Sequence, residues 1–172
     1  AKGLTIGMRF HSAPVVRLAD AKPVQLGHAA RADGAWRLYA FADGSGEKLR
    51  ALMMFLAESN RSPVKRYTPA GANIDSVIDV RAIFQQCHRD LKVEELPLML
   101  LPRKGKFGLI DYEKAFTPDV KNGPDIFVLR GVDRAKGALV IVRPDQYVAN
   151  VLPLDAHHEL ADFFGRFLID QA

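Results

Sequence analysis

A mixed α/β sheet flanked by helices is the fold class that this 172-residue sequence predicts, and two stretches carry the prediction. Near the start, a strand-like run leads through an amphipathic helix into a second strand-like run, the pattern of a βαβ unit. At the end, a continuous apolar run turns tightly into another run and closes on a helix with an apolar stripe. The composition, 48% hydrophobic and 26% charged, is that of one globular domain long enough to bury a core.

In chain order, residues 1 to 34 carry Pro14, Pro23 and scattered glycines, with Val15-Val16 as their one strand-like core. They are expected to form an extended arm packed on a domain built by residues 35 to 172. The run Trp36 to Phe41 is rich in aromatic and β-favouring residues and alternates Trp36, Leu38 and Ala40 on one face with Arg37, Tyr39 and Phe41 on the other. Asp43-Gly44-Ser45-Gly46 then turns the chain, and Ser45 offers an N-cap. Leu49, Leu52, Met53 and Leu56 recur at helical spacing, so a helix is expected over about residues 46 to 59, ended by Ser62-Pro63. Residues 76 to 84 read as the second strand, with a right-handed crossover if the two strands pair in parallel.

From residue 94 to 124 the signals weaken. Leu96 to Leu101 is apolar but broken by Pro97 and followed by Pro102, and Phe107 to Tyr112 is a short strand-like piece. The end is clearer. Ala138 to Val142 suits a buried strand, Arg143-Pro144-Asp145-Gln146 places proline at the second position of a turn, and Tyr147 to Leu152 returns as the partner strand. Pro153 stops it, Asp155 offers an N-cap, and Leu160, Phe163, Phe164, Phe167 and Leu168 trace the stripe of a closing helix. The order β, α, β, a variable middle, β-hairpin, α is that of a thioredoxin-like fold.

The residues that carry common chemistries are missing or wrongly spaced. Gly44 and Gly46 supply two glycines of a dinucleotide loop, but the third position is Leu49, and Gly105-Lys106 is followed by Phe107 rather than by the Ser or Thr of a phosphate loop. The single cysteine, Cys87, excludes an internal disulfide and any C-x-x-C pair, and the first strand-to-helix junction has no sulfur. Cys87 and His88 are adjacent and would point apart on a regular element. A stand-alone thioredoxin-like protein using Cys87 as its one redox centre is the alternative to a non-catalytic module. His11, His28, His88, His157 and His158 show no metal-site spacing, and no serine sits in a G-x-S-x-G elbow.

The net charge of +4 is scattered among acids, and the densest basic patch, Arg103-Lys104-Gly105-Lys106, reads as a solvated loop, so no nucleic-acid partner is expected. No window is apolar enough to span a membrane, and Ala1 to Thr5 lacks a signal-peptide core. A soluble cytoplasmic protein is expected. The chain begins without methionine, which is compatible with a missing upstream region. One constellation stands out: Arg130 and Asp133 in the polar loop of residues 130 to 137, with Arg143, Asp145 and Tyr147 in the turn that follows. Charges pairing across these loops would act as a structural clamp or as a contact with another domain or subunit.

At these residues the sequence resembles a known family. Asp125-Ile126-Phe127, Arg130-Gly131-Val132-Asp133-Arg134 and Val142-Arg143-Pro144-Asp145-Gln146-Tyr147-Val148-Ala149 look like the C-terminal region of the flavoprotein aromatic hydroxylases. The extension through Asn150-Val151-Leu152-Pro153-Leu154-Asp155, with Asp20 to His28 and Gly108 to Lys114, is similar to the phenol 2-monooxygenase and 3-hydroxybenzoate 4-monooxygenase subgroup. The resemblance implies a thioredoxin-like C-terminal domain without redox cysteines, which serves dimer contacts and packing against the catalytic part. It also implies FAD and NAD(P)H in a parent enzyme, with no cofactor and no catalytic residue in this chain.

Overall fold

Two six-residue strands rich in aliphatic and aromatic side chains set the centre of the molecule. In a computed structural model, which describes residues 3–171, β3 (Trp36–Phe41) and β4 (Ile78–Ile83) pair in parallel from Trp36 opposite Ile78 to Phe41 opposite Ile83. On its other side β3 takes β8 (Ala138–Val142) antiparallel, and β8 in turn takes β9 (Val148–Leu152), with a bulge beside Ile141 and Val142. Ala1, Lys2 and Ala172, which the sequence reading places in the arm and the domain, lie outside the described residues.

The stretch expected as an arm contributes strands of its own. β1 (Pro14–Arg17) pairs with β2 (Lys22–Gln25) and with β7 (Ala115–Pro118), and β7 runs parallel to β4. The result is a seven-stranded mixed sheet in the order β2-β1-β7-β4-β3-β8-β9. Among the described residues, β5 (Arg103–Lys104) and β6 (Leu109–Ile110) stand apart from this sheet as a small hairpin. Within the apolar run from Leu96 to Leu101, Leu98–Leu100 forms a single 3₁₀ turn in place of a strand, since Pro97 leaves no donor for a ladder.

Strand alternation sorts the core into two layers. Leu38 and Ala40 join Leu49, Leu52, Met53, Leu56, Leu160 and Phe164 beneath α1 (Glu47–Glu58), α2 (Pro63–Tyr67) and α4 (His157–Gly165). On the opposite face, Tyr39 and Phe41 pack with Phe10, Val15, Phe116 and Phe127, the last from the short α3 (Ile126–Leu129). Phe10 stacks on Tyr39 at 4.5 Å between ring centroids, which fastens the segment before β1 to the central strand.

Several helix ends differ from the sequence reading. The α1 N-cap is Gly46, at φ 73°, rather than Ser45; Asp43 Oδ1 reaches past it to accept from Leu49 N at 3.1 Å, while Ser45 Oγ accepts from Glu47 N. Ser62-Pro63 starts α2 instead of merely stopping α1. Ser62 Oγ accepts from Lys65 N, and Pro63 occupies the first turn, where its missing N–H costs nothing. α4 is capped by Ala156, whereas Asp155 pairs with Lys48 at 2.8 Å. The helix stops at Gly165, short of Phe167 and Leu168, yet Phe167 still packs 5.2 Å from Trp36.

Candidate interaction surface

The turn after β8 is built by its own sequence. Arg143 accepts from Gln146 N at 2.9 Å and donates its own N–H to Tyr147 at 2.9 Å, and Gln146 adopts φ 71° to close the loop into β9. The Arg143 guanidinium pairs with Asp145 and lies 6.0 Å from the ring of the exposed Tyr147. Arg9 reaches the same turn and donates to Gln146 Oε1 at 3.0 Å. Arg143, Asp145 and Tyr147 are therefore brought together.

Arg130 and Asp133 are not part of that group. Arg130 is buried at the end of α3, where its guanidinium donates to the carbonyl oxygens of His11 and Ser12 and sits 6.0 Å from the Phe10 ring. Burial pushes its pKa below the ordinary arginine value. Asp133 accepts from Ala135 N at 2.8 Å and shapes its own turn. The pairing expected across the two loops does not form. Each loop closes on itself, and Arg130 clamps the entering segment instead.

Sequence reasoning passed over the most densely charged region. An open cleft of about 590 Å³ runs beside β4, lined among others by Arg17, Asp75, Asp79, Arg81, Asp111 and Lys114. At its floor the Lys114 ammonium, 3% exposed, lies 2.7 Å from Asp75 and from Asp79 and 3.3 Å from Asp111. Arg37 and Arg81 also meet Asp79, at 3.0 and 2.9 Å. Burial pushes the Asp75 carboxyl up, but hydrogen bonds from Lys104 and Lys114 outweigh it and hold it below the usual carboxylate range. Asp111 behaves likewise: burial raises it, and the Glu113 N–H, Lys114 and Lys104 more than offset that. The signal was present in Arg37, Asp79 and Arg81, since alternation puts all three on one face of adjoining strands.

A second overlooked contact pins the β3–α1 junction. Gln85 donates to the carbonyl oxygens of Ala42 and Arg134 at 2.7 and 2.6 Å, while Arg134 pairs with Asp125 and lies 4.8 Å from the Phe127 ring. Cys87 is exposed in the turn after β4, with Sγ 3.8 Å from His88 Nδ1, so the two side chains touch although neighbours on a regular element would diverge. Among the described residues, no group of three or more His, Cys, Asp or Glu side chains is disposed to hold a metal ion, and no helix is long and apolar enough to cross a membrane.

This sheet order and its flanking helices define a thioredoxin-like domain, and solved structures agree. A thiol:disulfide interchange protein from Bacteroides sp. superposes with a TM-score of 0.58 at 10% identity, covering 96% of this chain and 91% of that one. A peroxiredoxin-like protein from Aquifex aeolicus gives 0.54 at 12% identity, covering 95% and 87%. The chain belongs to the family described as phenol hydroxylase, C-terminal dimerisation domain, whose model matches residues 1–172. It is 58% identical to the 3-hydroxybenzoate 4-monooxygenase of Comamonas testosteroni over 98% of its length, and 35% identical over 98% to the FAD-dependent monooxygenase terD of Aspergillus terreus. The chain spans only 27% and 28% of those two proteins.

Proposed function

We propose that this chain is the assembly domain of an FAD- and NAD(P)H-dependent aromatic hydroxylase of the 3-hydroxybenzoate or phenol type, working in the cytoplasm in aromatic catabolism. It performs no conversion itself. It joins two subunits as a homodimer and packs against the FAD/substrate portion of its own polypeptide. The observation that carries this reading is the 58% identity to a 3-hydroxybenzoate 4-monooxygenase over nearly all of this chain but about a quarter of that enzyme. The site chemistry supports it: at the β3–α1 junction Asp43 and Ser45 are occupied in capping α1. Arg130, Asp133, Arg143, Asp145 and Tyr147 then serve as structural and interface groups that shape the loops. Residues 1–34 and 35–172 act as one folding unit, because β1 and β2 are hydrogen-bonded into the sheet through β7.

Removing this domain from the full-length hydroxylase tests the reading. The shortened protein is expected to keep its flavin spectrum and to sediment as a monomer. A shortened protein that remains dimeric, or a flavin that travels with the excised domain, would overturn it.

A further inference from the structure

α3 buries half of itself and leaves the rest bare. Ile126 and Phe127 enter the core, capped by the Asp125 side chain, while Val128 is 73% exposed and Leu129 38% exposed. A solvent-facing helix position is ordinarily polar, so two neighbouring aliphatic residues there mark a surface that is covered in the assembled protein. The segment arriving at this helix is held against it. Gly3 N donates to the Arg130 carbonyl at 3.3 Å, and a Cβ on Gly3 would come within 2.4 Å of the Leu129 carbonyl oxygen. Arg130 then grips the His11 and Ser12 carbonyls farther along.

We infer that the bare face of α3 seats the portion of the same polypeptide that precedes this domain. The inference rests on the proposed membership in a longer hydroxylase. The family is C-terminal by description, and the relatives are nearly four times as long, so the preceding part reaches this domain through the segment ahead of Gly3. A tether fixed at Gly3 brings that part directly to Val128 and Leu129 at high effective concentration, whereas a second subunit would have to compete for the same ground. The glycine and the Arg130 clamp set the direction of entry, so the orientation of the domain against its catalytic neighbour is fixed by α3.

The full-length protein bearing Val128→Glu tests this, with Val128→Ile as the conservative control and the same substitution in the 172-residue chain to confirm that the domain still folds. Val128→Glu is expected to split one thermal transition into two and to speed proteolytic cleavage ahead of Gly3 roughly tenfold, about the factor that losing one buried aliphatic contact makes in an opening equilibrium. The dimer mass and the Val128→Ile protein should be unchanged. A single transition with unaltered cleavage overturns the seat. A fall to monomer mass also overturns it, by assigning the face to the second copy. If the unsubstituted protein is itself monomeric, the dimer reading fails, while the transition and cleavage comparison still decides the seat.

Discussion

Lys114 shows how much a single side chain organises here. Its buried ammonium is shared by Asp75, Asp79 and Asp111, and Asp79 also receives Arg37 and Arg81. A buried pair is not by itself a large net gain, but deleting one partner strands the remaining charge. Lys114→Met is therefore expected to destabilise the domain by about 3 to 5 kcal/mol in urea unfolding; a loss under about 1 kcal/mol would mean that water already screens the carboxylates. The same network predicts a pH dependence. Asp75 and Asp111 have lowered folded values, so their contribution is complete above the ordinary carboxyl value near ~4 and disappears as pH falls through the lowered ones. Melting temperature should drop in that acid range, and Asp75→Asn should flatten the drop; an equally steep acid limb in the variant would contradict this assignment.

Among the elements, those with strong local signals were legible and those held by distant partners were not. β3, β4, β8 and the body of α1 follow from apolar runs and periodicity that agree with their burial. β1 showed only as its Val15-Val16 pair, β2 is mostly exposed and carries no apolar run, and β7 did not stand out because a four-residue strand gains its order from neighbours far along the chain: Thr117 lies opposite Val16. Capping was misread for the same reason, since Asp43 reaches Leu49 across a left-handed Gly46 that no spacing rule marks. Gly137 ends the polar loop at φ 66°, and a Cβ there would meet the Phe41 carbonyl oxygen at 2.4 Å. Gly137→Ala should accordingly cost more than ~1 kcal/mol, seen as a lower urea midpoint with an unchanged slope. Stability equal to the unsubstituted protein would show that β8 can shift to make room.

At the scale of the molecule, family and fold class were readable from the loop motifs and the element order, but the arrangement of the candidate residues was not. Arg143, Asp145 and Tyr147 meet because they share one turn. Arg130 instead finds the His11 and Ser12 carbonyls more than a hundred residues away, a partnership that sequence separation conceals. A domain built this way, with a buried charge network on one side and bare aliphatic residues beside its entry segment, is suited to holding parts together. Sedimentation equilibrium of the 172-residue chain, read together with its visible absorbance, tests that claim most directly. We predict a reversible dimer of about twice 19.1 kDa with no flavin band; a strict monomer at every concentration, or stoichiometric flavin bound to this chain, would contradict it.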